Sequence, residues 1–292
     1  MRELTKKIRD QINESYPFDV VKLPLSGPDN MPTPHYGLFR DDDGSSVGVA
    51  CRHGYVPHTR DDVQALAEAA TIGMDADDMV VSCHWHDGHR ITIGPSADKR
   101  QEIYGTKDNI FPRFLIDFGY GGSACKASLG LFRDVCTNLQ IIEVAGESFS
   151  RKIRHTAGLR LKMPELIGHF RHLAGRWDRL AETVHAMQST NVVLAEYLAK
   201  VYPAAEDANR RAKKANERRI SAIIRRIQNE RALTGRPLTT LTTVSAWEAY
   251  NGVQGYVQHE TVRHGRPSRL DRAWRALGDV HVTRAATLAM AS

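Results

Sequence analysis

RRAKKANERRISAIIRRIQNER, residues 210–231, sets paired cations around a spine of isoleucines. At helical spacing, Ala208, Ala212, Ile220, Ile223, Ile224 and Ile227 fall on one side. Arg210, Lys213, Lys214, Arg218, Ser221, Arg225 and Gln228 fall on the other. Gly235 and Pro237 are stop signals, so the spacing predicts a helix over about 204–234. Between 206 and 236 ten Lys and Arg stand against four Asp and Glu. After Asp207 only Glu217 and Glu230 interrupt the positive charge, so pairing at i,i+4 cannot neutralise it. A phosphate backbone would relieve the repulsion by releasing counterions. The stretch reads as a packing helix with a positive outer face.

The same imbalance runs through the chain. Residues 1–150 hold 15 Lys and Arg against 22 Asp and Glu, a net of −7, and residues 151–292 hold 25 against 12, a net of +13. The second half suits a polyanion; acidic half against basic half also suits head-to-tail self-association. At 292 residues, 41% hydrophobic and 25% charged, the chain can bury a sizeable core. No apolar run approaches the ~20 residues of a membrane span. The first 15 residues are charged and lack an apolar signal region. Cys51, Cys83, Cys125 and Cys136 form no CxxC pair and read as cytosolic thiols.

Working outward, the first half reads as mostly β. Residues 1–14 form an amphipathic helix. HYGLFR and SSVGVACR flank the turn DDDG, giving a hairpin over 35–52. DDVQALAEAA (61–70) is helical, with acids in its first turn. MVVSCHW and HRITIG form a second hairpin, and residues 114–135 a third that turns at Gly121-Gly122. The second half reads as helical. Pro164 suits a first turn, and Phe170, Leu173, Trp177, Leu180, Val184 and Met187 follow at 3–4 spacing. Thr190 can cap a helix ending at Pro203, Ser245-Ala-Trp-Glu248 is a capping box, and Ser268 can cap a last helix. In that helix Leu270, Trp274, Leu277, His281 and Leu288 make one seam. The expectation is an α+β fold. Hairpins and one helix (1–158, β-rich) pack on a helical, basic part (159–292), in two domains or one continuous fold.

Few catalytic patterns are present. There is no P-loop and no nucleophile elbow. Gly119-x-Gly121-x-x-Ala124 formally matches a dinucleotide fingerprint, but the residues after it alternate, so it reads as a hairpin turn. In HETVRH, His264 lies five residues after His259, too far round a helix to share a metal. In CHWHDGH (83–89), His84, His86 and Asp87 could bind a divalent ion, with Cys51, His53 or His58 adding ligands; the bland alternative is a surface hairpin. The acids at 41–43 and 75–78 read as solvated turns. No metal, no cofactor and no catalytic residue is assigned.

Five segments together resemble a known family: GYGGSAC (119–125), LFRDVCTNL (131–139), RKIRHTAGL (151–159), SAWEAYNGVQGYVQHE (245–260) and RPSRLDRAW (266–274). The family is the phage- and plasmid-borne domain of unknown function 932, and the resemblance extends over roughly residues 35–290. It is carried by Arg133-Asp-Val-Cys136-Thr-Asn138, Arg154-His155-Thr156 and Trp247-Glu-Ala-Tyr250-Asn251. A turn that usually resembles His-Asp-Gly-Ser is here Tyr120-Gly121-Gly122-Ser123. The resemblance implies a mobile element and a role in its DNA metabolism. A further, fold-level likeness is to the single-strand annealing proteins of the RecT, Red-beta and eukaryotic Rad group.

The expected function is ATP-independent binding of single-stranded DNA that promotes annealing or recombination. The chain would act as a homo-oligomeric ring or filament in the cytoplasm of a bacterial host, away from membranes, and not as an enzyme. The residues expected at the DNA are Arg133, Arg151, Lys152, Arg154 and His155 at the acidic-to-basic switch, and Arg210, Arg211, Lys214, Arg218 and Arg225 on the basic helix. Trp247, Tyr250 and Asn251 share a helix face that reads as packing around a buried amide hydrogen bond. Two other classes stay open: a metal-dependent nuclease or modifying enzyme using His84, His86 and Asp87, and a module that binds a host protein.

Overall fold

The structure, a computed structural model, describes residues 2–50, 54–71, 79–85, 88–95, 101–102, 109–120, 124–133, 139–140, 150–156, 158–174, 177–204, 209–236, 241–261, 272, 276 and 279–291. It is an α+β fold, and the chain packs as two units. Unit 1 holds Met1–Lys99, Pro112–Leu129 and Ser150–Arg176. Unit 2 holds Arg100–Phe111, Gly130–Phe149 and Trp177–Ser292. The units interleave along the sequence, rather than meeting at one boundary near 158. Charge follows suit: unit 1 has 19 Lys and Arg against 18 Asp and Glu, unit 2 has 21 against 16. The −7/+13 contrast of the halves becomes +1 and +5.

Unit 1 begins with α1 (Arg2–Ser15), whose Ile8 and Ile12 are fully buried. Strands β1 (Val20–Ser26), β2 (Pro32–Arg40) and β3 (Ser46–Ala50) form an antiparallel sheet in that order. The β2–β3 hairpin turns at Asp41–Gly44 as the sequence implies; its pairing with β1 was not read from the sequence. Phe18, Val20, Leu38, Ala50, Tyr55 and Tyr120 form one buried cluster. Helix α2 (Arg60–Ala69) starts at a capping box in which Thr59 and Asp62 satisfy each other's backbone N–H groups.

The larger sheet contains β4 (Met79–Trp85), β5 (Gly88–Pro95), β7 (Asn109–Gly119), β8 (Cys125–Arg133) and β10 (Ser150–Ile153), in the order β10-β8-β7-β5-β4. Both expected hairpins are present, and the Gly119–Ala124 stretch connects antiparallel strands rather than a βα unit; Gly121–Ser123 themselves lie outside the described residues. Strands β7 and β8 run on into unit 2, where the two-residue strands β6 (Gln101–Glu102) and β9 (Leu139–Gln140) pair with them. Helix α3 (Leu159–Ala174) completes unit 1. It starts earlier than Pro164 suggests, so the proline stands at its sixth position.

In unit 2, α4 (Trp177–Ser189) is followed by β11 (Asn191–Val193) and α5 (Leu194–Val201). Thr190 does not cap α5: its hydroxyl donates back to the Ala186 carbonyl and closes α4. The basic helix α6 (Arg210–Thr234) follows, then β12 (Thr243–Ser245), α7 (Ala246–Glu260) and α8 (Val280–Ala291). The Ser245–Glu248 capping box forms. Trp247, Tyr250 and Asn251 are all buried, a packing face as expected, although Asn251 Oδ1 finds no donor among the described residues. Of the last seam, His281 and Leu288 lie on α8; Ser268, Leu270, Trp274 and Leu277 lie outside the described residues.

Helix α6 docks on α7 at two glycines. A Cβ on Gly252 would lie 2.6 Å from Ile227 Cγ1, and one on Gly255 would lie 2.0 Å from Arg226 Nε. Gly252→Ala should therefore destabilise unit 2 by about 1–3 kcal/mol, overpacking outweighing the ~1 kcal/mol gain in helix propensity. A urea midpoint at or above that of the unchanged chain would contradict this close approach.

Candidate functional site

Helix α6 owes its ends to local chemistry. The Asn209 side chain accepts from the Ala212 N–H, and Gly235 closes the C-terminus in the left-handed conformation at φ 72°. Its buried side is formed by Ala222, Ile223, Ile227 and Thr234. The spine is shorter than the sequence pattern suggests: residues 210–215 are exposed all round, Ala212 included.

The arginines sort into two sets. Arg231 makes two hydrogen bonds to Glu248, Nε to Oε1 at 2.7 Å and Nη2 to Oε2 at 3.1 Å. Arg236 reaches Glu248 Oε1 at 3.1 Å. Arg226 lies 3.7 Å from Glu230, and the Arg219 guanidinium stands 4.9 Å from the centre of the Tyr202 ring. Arg231 and Arg236 tie the end of α6 to α7, Arg219 meets the residue after α5, and the Arg226 pair lies within α6. Arg210, Arg211, Lys213, Lys214, Arg218 and Arg225 are exposed, and none meets a carboxylate among the described residues. Five of the six (all but Lys213) lie within an arc of about 100°, along a strip roughly 22 Å long from residue 210 to 225 at helical pitch and rise.

The strip is electrostatically unfavourable as it stands. Arg210, Arg211 and Lys213 crowd the first turn, where the helix dipole is already positive and no acidic residue is present. Each such cation costs about 0.3–1 kcal/mol before screening. An anion laid along the strip offsets both the dipole and the mutual repulsion.

The other sequence-predicted residues lie on other elements. Arg133 lies on β8 in its unit 2 portion; Arg151 and Lys152 lie on β10 in unit 1; the side chains of all three lie outside the described residues. Arg154 follows β10 and is exposed. His155 does not join it. The Thr156 N–H donates to the Arg154 carbonyl at 2.9 Å, a tight turn centred on His155, and His155 is only 7% exposed. The sequence reading puts it at a phosphate; here its side chain is buried.

His155 instead lies in a buried group that the sequence spacing did not reveal. Its Nδ1 is 3.0 Å from the Val56 carbonyl, and its Nε2 is 3.4 Å from Cys125 Sγ. The ring stacks on Tyr55 with centroids 5.0 Å apart, and His58 stacks on Tyr120 at 4.3 Å. Burial lowers the His155 pKa, against the Val56 and Gly119 carbonyls and Asp62, so the imidazole is neutral at pH 7. Burial, then the Asp62 and Asp117 carboxylates, raises the Cys125 thiol well above its ordinary value. A fully buried, protonated thiol is no nucleophile. As for the enzyme reading, residues 86–87 and the His84 side chain lie outside the described residues.

Residues 98–285, well over half the chain, match the family model "Domain of unknown function (DUF932)". The chain belongs to that family. No curated protein and no solved structure matches it. Among the described residues no helix is long and apolar enough to cross a membrane.

Glu248 separates structural from free cations. Burial would raise its pKa, but the hydrogen bonds from Arg231 and Ser245 and the charges of Arg236 and Arg231 outweigh it and hold the carboxyl below its ordinary value. Its stabilisation is thus present above the ordinary carboxyl range and is lost as pH falls through the lowered pKa. Glu248→Gln, which keeps the capping geometry, should cost about 1–3 kcal/mol at pH 7. The variant and the unchanged chain should converge in urea midpoint once the pH falls below the lowered Glu248 pKa; equal midpoints at pH 7 would contradict the assignment.

Proposed function

We propose that the protein binds single-stranded DNA along the outer face of α6 and promotes strand annealing or recombination for a mobile element, without hydrolysing nucleotide. One observation carries this reading: the strip of exposed cations on α6 that lacks carboxylate partners among the described residues and begins at the positive end of the helix. Surface charge on a stable helix is ordinarily interleaved with its opposite at i,i+4; Arg226 has such a partner in Glu230 and Arg231 meets Glu248 of α7, whereas the six exposed cations meet no carboxylate among the described residues. A strip of this kind holds phosphates and leaves base edges free to pair. It carries no sequence information, as annealing requires.

Arg154 is a separate exposed cation of unit 1 and a second candidate contact; Arg133, Arg151 and Lys152 join it as candidates on sequence grounds. The protein acts as a homo-oligomer, a ring or filament, in the cytoplasm of a bacterial host, since annealing needs two strands presented side by side.

The test is binding of a labelled oligonucleotide across a salt series. Log affinity should fall with log salt by about 0.7 per phosphate contacted. Reversing Arg218 and Arg225 to Glu should weaken binding at least tenfold at low salt and flatten the slope by more than one, with the fold retained by circular dichroism. If the purified chain ignores oligonucleotides in dilute buffer, or the double variant binds with unchanged slope, α6 is not a DNA contact.

A further inference from the structure

The buried group in unit 1 brings together three metal-binding side chains from three distant segments. The potential ligand atoms of His58, Cys125 and His155 all lie within 4.8 Å of one another, and all three residues are buried. We propose that these residues bind one zinc ion, through Cys125 Sγ, His155 Nε2 and an imidazole nitrogen of His58. This does not depend on α6 or on DNA binding.

The spacing fits. Zinc takes thiolate at about 2.3 Å and imidazole at about 2.0–2.1 Å, so tetrahedral ligand atoms sit roughly 3.5 Å apart. The Cys125–His155 pair is already at 3.4 Å. The longest separation in the group needs to close by only about 1.3 Å.

The tautomer also fits. A carbonyl oxygen can only accept, so the 3.0 Å contact to Val56 places the proton of the neutral ring on Nδ1. The lone pair is then on Nε2, turned toward the Cys125 sulfur. A ligating histidine whose other nitrogen donates to a backbone carbonyl is the usual outer arrangement of a metal site. Tyr55 and Tyr120, stacked on the two imidazoles, hold the ring planes.

The surroundings favour a cation. Asp62 and Asp117 both act on the Cys125 sulfur as negative charges, with Lys126, 3.5 Å from Asp117, offsetting part of that field. When the sulfur–zinc bond forms, the thiol gives its proton to solvent, and one positive charge remains on the metal–thiolate pair for those carboxylates to balance. One thiolate with two imidazoles is a zinc donor set rather than a calcium or magnesium one. Three protein ligands leave a fourth position for water or another small ligand.

Strand β8 supplies Cys125, the segment after β10 supplies His155, and the loop before α2 supplies His58. A bound ion would therefore tie the start of α2 to the β8–β10 edge of the large sheet.

The experiment uses the full chain, stripped with a chelator and then titrated with cobalt(II) and with zinc. One cobalt per chain should bind, with intense tetrahedral visible bands and a near-ultraviolet sulfur-to-cobalt charge-transfer band, both displaced by stoichiometric zinc. Cys125→Ala should abolish the charge-transfer band and lower bound zinc by mass spectrometry from one per chain to near zero. His58→Gln should weaken zinc binding at least tenfold. A folded, unchanged chain that takes up no zinc at micromolar concentration, or binds cobalt without the sulfur band, overturns the proposal, and that measurement stands even if the variants do not fold. Undiminished zinc in a folded Cys125→Ala chain overturns it equally.

Discussion

A single carboxylate, Glu248, makes the docking of α6 possible. It satisfies the backbone N–H at the start of α7 and takes the guanidiniums of Arg231 and Arg236 at the same time. Without an acid at that point, the C-terminal part of the basic helix would bring two cations against a helix start that is itself positive. The same residue thus caps one helix and neutralises its neighbour. Gly252 and Gly255 then let the two helices come close enough for Ile223 and Ile227 to pack.

Among the described residues no acid pairs with the cations at the other end of α6. Its first two turns carry Arg210, Arg211, Lys213 and Lys214 into solvent on every side, against a dipole of the same sign. The helix is thus held firmly at one end and left with unbalanced charge at the other. Unit 1 handles its polar groups differently. There a thiol, two imidazoles and two phenol rings are gathered inside the fold, and burial favours the neutral forms of Cys125, His155, Tyr55 and Tyr120.

The elements with short-range signals were legible in the sequence. The hairpin around DDDG, the Ser245–Glu248 box and the Gly235 stop are each fixed by a few adjacent residues, and each stands where the spacing puts it. Less legible were features set by partners far along the chain. Strand β1 reads weakly because Pro24 has no backbone N–H to give a ladder; pairing with β2 supplies the order. Residues 210–215 continue the apolar-polar pattern of α6, yet nothing packs on Ala212, because periodicity states which face could be buried and not where the partner ends. Arg154 and His155 read as one basic pair, but a tight turn centred on His155 leaves Arg154 exposed and His155 buried. The His58–Cys125–His155 group had no local spacing to find, being 67 and 30 residues apart. Charge counted by sequence halves also misled, since the fold redistributes it between interleaved units and leaves α6 as the concentrated source.

The weaving of the chain has a consequence for inheritance. Strands β7 and β8 each begin in one unit and finish in the other, and neither unit is an unbroken run of sequence. A recombination crossover near the middle of the gene would hand each descendant fragments of both units and a whole of neither. The cationic helix of one unit and the buried thiol of the other are therefore inherited together or broken together.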